Sequence, residues 1–144
     1  MVVYADASFL FSLYAQDAHT VQAARLGAAL TTPLALTPVQ RHELCNAFRL
    51  AVFRRDMTPE QCSILLKTIE TDVQAGVLVE TPMAWADVYA EAETLSAAHT
   101  AKLGTRATDV LHVAAAVALG VKYFYTFDAR QAALAVKAGL TVKP

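Results

Sequence analysis

A chain of 144 residues fits one domain around one core, so a single domain over residues 1–144 is expected. Hydrophobic residues make up 56% and charged residues 17%, a balance that excludes disorder as the main state of the chain. The formal net charge of −1 gives no general sign of nucleic-acid binding.

Taken in chain order, the first apolar run, Val2–Ala5, reads as a short buried strand. No basic region precedes it and Asp6 interrupts it, which argues against a secretory signal and for a cytoplasmic protein. Leu34–Leu36 is the second strand candidate. Thr37-Pro38-Val39-Gln40 then opens a helix: Thr caps an orphan N–H, Pro gives up a donor that had no partner, and Gln reaches back. Leu44, Ala47, Phe48, Ala51 and Val52 give that helix an apolar stripe, with Glu43 at its border. Thr58-Pro59-Glu60-Gln61 repeats the same opening. Val77–Glu80 is the third strand candidate, and Thr81-Pro82 predicts a further helix start without the distal acceptor.

Trp85, Val88, Tyr89, Ala92 and Leu95 form the next helical stripe. Thr105–Asp109 reads as a helix entrance, followed by small residues through Ala118 and a stop at Gly120. Val113–Leu119 is too short to span a membrane. Tyr123–Phe127 is the fourth strand, a helix follows from about Ala129 to Ala138, and Leu140–Val142 closes the chain as the fifth strand. Short strands separated by helices predict an α/β fold, a three-layer α/β/α sandwich on a mostly parallel sheet of about five strands. Cys45 and Cys62 have neither metal nor redox spacing and read as reduced, partly buried thiols.

Four acids stand where this fold exposes chemistry. Asp6 and Asp128 each follow a predicted strand directly, at the carboxyl edge where open α/β sheets bind ligands. Asp109 lies near the start of one helix and Glu43 in the second turn of another. Singly, each has an ordinary explanation as a turn former, a cap, a dipole partner or a surface ion pair, with Arg41 or His42 for Glu43. Jointly, they can converge. Four carboxylates in one pocket repel one another, and a hard divalent cation with oxygen ligands resolves the conflict. Mg²⁺ suits such a site, with Mn²⁺ as the alternative, while no His/Cys spacing favours zinc. His112, one turn beyond Asp109, reads as a packing or hydrogen-bonding residue. If the four acids hold metal, the remaining nine acidic residues face 12 basic ones, leaving the rest of the protein at +3.

Tyr4-Ala5-Asp6-Ala7-Ser8, Glu43-Leu44-Cys45-Asn46-Ala47, Arg106–Ala114 (RATDVLHVA) and Thr126-Phe127-Asp128 together resemble the ordered acidic motifs of PIN-domain nucleases. The resemblance spans essentially the whole chain and is greatest toward VapC-like ribonuclease toxins of toxin–antitoxin pairs. It implies a metal-dependent endoribonuclease in which Asp6, Glu43, Asp109 and Asp128 act as catalytic metal ligands. It further implies products with a 5′-phosphate and a 3′-hydroxyl, an RNA substrate, a cognate antitoxin and a homodimer. Ser8 and Thr126 lie close enough to orient carboxylates or waters. Arg41, Arg106 and Arg130 offer phosphate contacts or, equally, ion pairs with the acids. Arg49, Arg54 and Arg55 sit near a helix end, where the dipole accounts for them. The alternatives are an RNA-processing nuclease without an antitoxin, or an interaction module that lost catalysis; the latter would lack an acidic station, and none is lost here. A phosphate-accepting receiver is disfavoured because no Asp-x-Asp pair or phosphate-cradling loop is present.

Overall fold

The computed structural model describes residues 2–144. Five short strands, β1 (Tyr4–Ala5), β2 (Leu34–Leu36), β3 (Leu78–Glu80), β4 (Tyr123–Tyr125) and β5 (Thr141–Lys143), pair in parallel. The β1-β4-β5 and β2-β3 ladders join through a parallel bridge between Val3 and Leu34, where Ala35 N–H donates to the Val3 carbonyl at 2.8 Å. The sheet order is therefore β3-β2-β1-β4-β5. From β1 the chain first winds one way to β3, then crosses to β4 and winds the other way. The switch lies between β1 and β4, where connections leave for opposite faces and open a crevice.

Alternation along the strands divides the core. Val3, Ala5 and Tyr125 face one layer, with Phe9, Leu10, Leu44 and Phe48; Tyr4 and Phe124 face the other, with Val113 and Leu134. The first layer contains α1 (Ala7–Tyr14), α2 (Thr20–Ala28), α3 (Pro38–Phe53) and α4 (Pro59–Gln74). The second contains α5 (Trp85–Leu95), which continues through a π-helical turn (Ser96–Thr100) into α6 (Ala101–Leu103), and then α7 (Ala107–Ala118) and α8 (Ala129–Lys137). Three layers result, as the alternation of elements predicts. Ala114, Ala115 and Ala116 are wholly buried, because only small side chains let α7 lie against both the sheet and α5.

The openings of α3 and α4 are full capping boxes, Thr37 with Gln40 and Thr58 with Gln61. The predicted start at Thr81-Pro82 is corrected: α5 begins at Trp85. Thr81 instead prolongs the sheet, its N–H donating to the Leu36 carbonyl at 3.0 Å and its hydroxyl to the Val79 carbonyl at 2.7 Å. Thr126 and Phe127, assigned to the fourth strand, lie beyond β4 and form the turn into α8. Tyr89, placed on the α5 stripe, is 60% exposed. Helices α1 and α2 carry no such sequence signal. Apolar side chains surround α1 on most sides, and α2 buries only Ala23.

Gln40 ties α3 to the end of β1. Its amide oxygen accepts from Thr37 N–H at 2.7 Å and its amide nitrogen donates to the Ala5 carbonyl at 2.5 Å, all in the interior. Gln40→Leu strands both backbone groups without water, at about 1–3 kcal/mol for each. Denaturant unfolding should show a midpoint lowered to match, with an unchanged slope.

Candidate active site

Asp6 follows β1 and is completely buried. Its backbone N–H still pairs with the Tyr125 carbonyl of β4 at 2.9 Å, so the residue is held against the switch between the two strands. One carboxylate oxygen accepts from Ser8 Oγ at 2.7 Å and from Phe9 N–H at 2.9 Å, capping α1; the other accepts from Thr126 Oγ1 at 2.6 Å. Thr126 Oγ1 in turn accepts from Asp128 N–H at 2.8 Å. Asp128 caps α8 by accepting from the N–H groups of Arg130 and Gln131 at 2.9 and 3.0 Å. Gln131 Nε2 donates to Asp109 at 3.2 Å. Asp6, Asp109 and Asp128 are thus joined in one hydrogen-bonded sequence.

Asp109, 1% exposed, also accepts from Arg106 N–H at 2.8 Å and from Arg106 Nε at 3.2 Å. Arg106 Nη2 reaches Asp109 at 3.3 Å and Asp128 at 3.4 Å, and the field of Glu43 also acts on this guanidinium. Burial acts to raise the Asp109 pKa, yet the hydrogen bonds and charge of Arg106 outweigh it, and the carboxyl is held below its ordinary range. Among the described residues, Asp6 accepts no guanidinium hydrogen bond, and only the field of His112 favours its charge. Burial pushes its pKa up, against the opposing hydrogen bonds from Thr126, Phe9 and Ser8.

Glu43 is oriented from behind. Its carboxylate contacts His112 Nε2, while His112 Nδ1 lies 2.8 Å from Tyr4 Oη. A Glu43 carboxylate accepts from an Nε2–H, and in that neutral tautomer Nδ1 is the acceptor of the Tyr4 hydroxyl, whose pKa burial raises so that it stays protonated. His112, completely buried, thus couples α7 to α3.

The PIN domain family profile matches residues 3–137. The chain belongs to the PIN-domain family. Among solved structures, Mycobacterium tuberculosis VapC20, described as a Sarcin-Ricin loop cleaving toxin, matches this PIN domain with a TM-score of 0.70. The match has 20% sequence identity and covers 99% of each chain. At that identity the likeness speaks for the fold, which the two proteins share. No curated protein matches the sequence.

The four acids of this PIN domain, with the Gln131 amide, offer hard oxygen donors, the chemistry that Mg²⁺ or Mn²⁺ takes. Gln131 Oε1 is buried with no hydrogen-bond partner among the described residues, one more oxygen beside Asp109 and Asp128. The donor set fits such an ion. Among the described residues, no three Asp, Glu, His or Cys side chains already form a ligand cluster; Arg106 supplies the positive charge between Asp109 and Asp128. Arg130 enters through its backbone N–H, and its side chain is exposed. Arg41 is directed elsewhere, pairing with Glu70 and Glu80. Gln131 was not singled out from sequence, although its place three residues after a capping Asp is the signal that could have found it. A groove of about 1000 Å³ leads from Ser8, Glu43 and Asp128 along Phe11, Leu50 and Ile64.

The Asp6 shift has a consequence for stability. With its folded-state pKa raised, the unfolded chain releases the proton first, so stability falls as pH rises from the ordinary carboxylate range through the folded value. In metal-free protein, Asp6→Asn removes that loss. Thermal melts should show the variant more stable than wild type at neutral pH and without advantage near about pH 3.

Proposed function

We propose that this PIN domain, taken as one domain over the whole chain, is a metal-dependent endoribonuclease hydrolysing RNA phosphodiester bonds. We further propose that it is the toxin of a type II toxin–antitoxin pair. The observation that carries the reading is the linked placement of Asp6, Asp109 and Asp128 at the β1/β4 switch, with Glu43 at the mouth of the same groove. Asp6 and Asp109 are the principal metal ligands, and Glu43 and Asp128 contribute directly or through water. Mg²⁺, or Mn²⁺ in its place, supplies when bound the charge that acidifies a water and neutralises the phosphate oxygens.

The chain's own side chains do the rest. Ser8 and Thr126 fix the orientation of the Asp6 carboxylate. The Tyr4–His112 pair holds Glu43 toward the groove. Arg106 rests on Asp109 and Asp128, where its planar fork would also be placed to contact a substrate phosphate. Arg130, exposed at the start of α8, offers a second phosphate contact.

The partner proposals rest on apolar surface. Leu50, Phe53 and Ile64 are 39%, 83% and 63% exposed on α3 and α4, and Leu50 and Ile64 line the groove, where an antitoxin segment would find purchase. Tyr89 and Val136, exposed on the opposite layer, offer area to a homodimer. No helix among the described residues is long and apolar enough to cross a membrane, and the proposed location is the cytoplasm.

The test compares wild type with Asp6→Asn and Asp109→Asn on a mixed pool of single-stranded and structured RNA. Cutting should require Mg²⁺ or Mn²⁺, stop with EDTA, and leave 5′-phosphate ends. Each variant should lose more than the roughly 10- to 100-fold typical of removing a residue behind a metal ligand. Equal cutting by all three proteins would reject the assigned site.

A further inference from the structure

Three aromatic rings form a column beside the carboxylates. Phe9, completely buried, stacks on Phe127 with centroids 5.4 Å apart and planes 17° apart. Phe127, half-buried, stacks on His19 at 4.3 Å and 9°. His19 is exposed, so the column runs from the core to solvent and ends on an exposed residue. Both His19 and Phe127 line the groove that also contains Ser8, Glu43 and Asp128. Phe127 lies between Thr126, which holds Asp6, and Asp128; its N–H donates to Ser8 Oγ at 3.2 Å.

The His19 ring has no part in starting α2, since it makes no capping hydrogen bond there. Its backbone is nonetheless firmly placed. His19 N–H donates to Asp17 Oδ1 at 2.8 Å, and Asp17 Oδ2 accepts from the buried Ser12 hydroxyl at 2.7 Å. Thr20 Oγ1 accepts from Asp17 N–H at 2.8 Å and donates to the Ala15 carbonyl at 2.9 Å. An exposed aromatic residue is therefore carried on a firmly held backbone, stacked on Phe127, lining the groove. Base stacking uses such a surface, and it tolerates any base because every base has a π-face.

We infer that His19, supported by Phe127, is a stacking seat for one nucleobase of the single-stranded substrate, beside the carboxylates that handle its phosphate. The inference deepens the nuclease reading and rests on it. The column would set where the strand lies and which phosphate meets Asp6 and Asp109. Little sequence preference is expected from the seat itself.

The experiment uses the full chain in Ca²⁺ and a pool of 12-nucleotide single-stranded RNAs carrying 2-aminopurine, read by fluorescence quenching and by anisotropy. Cleavage of the same pool is followed separately in Mn²⁺. His19→Ala should weaken binding by about 5- to 150-fold, the span of one lost stack, and reduce the quenching. His19→Phe should bind and quench as wild type does, with both variants melting at the wild-type temperature. Wild-type affinity in His19→Ala, or equal loss in His19→Phe, would overturn the seat while leaving the nuclease reading intact if wild type still binds and cuts RNA. A wild-type protein that neither binds nor cuts any RNA in the pool would overturn both.

Discussion

The Asp6 carboxylate is completely buried at the end of β1, and an unpaired charge cannot remain there without donors. Its donors come from three places: the first turn of α1, the Ser8 hydroxyl and Thr126 beyond β4. Burying this one group therefore sets β1, α1 and the end of β4 in mutual register. The dependence continues outward. Thr126 places Asp128, Asp128 caps α8, and the first turn of α8 aims Gln131 at Asp109.

The same residues leave the site electrostatically uneven. Asp109 has a guanidinium beside it and is held ionised, whereas Asp6 relies on hydrogen bonds and has its pKa raised. Both acids lie at or within the first turn of a helix, where the backbone dipole also favours negative charge. Asp109 and Asp128 are offset here by one largely exposed arginine, and the proposed cation would add to that positive charge. This is the physical link between the fold and the proposed hydrolysis.

The groove extends that edge well beyond the carboxylates, which suits the polymer substrate proposed for it. Helix α1 contributes Ser8 at the carboxylates and Phe11 farther along, and α3 contributes Glu43 and then Leu50. Apolar residues such as Leu50 and Ile64 follow these carboxylates along the groove, and Arg54, Asp56 and Gln61 also line it. The proposed phosphate chemistry and the proposed partner contact would thus share one surface, so an occupant near Leu50 and Ile64 would also restrict entry at Glu43 and Asp128.

Much of this was legible along the chain. All five strands lie within two residues of their predicted limits, since β-branched and aromatic runs bounded by turns are local signals. The Thr-Pro-x-Gln openings of α3 and α4 were also read correctly, because a capping box closes within four residues. Thr81-Pro82 lacked the distal acceptor and was claimed by the sheet instead. The four acids could be named as candidates from their places after strands and near the starts of helices. How they are held could not. The Asp6–Thr126 bond closes over 120 residues, the Tyr4–His112 bond over 108 and the His112–Glu43 contact over 69. His19 and Phe127 likewise meet only through the winding of the sheet. Local pattern determined the elements and the residue types available for chemistry. The tertiary structure alone decided strand order, the assignment of Arg106 to the acids and of Arg41 away from them, and the column of rings. Those outcomes depend on contacts between distant segments, which no short window of sequence contains.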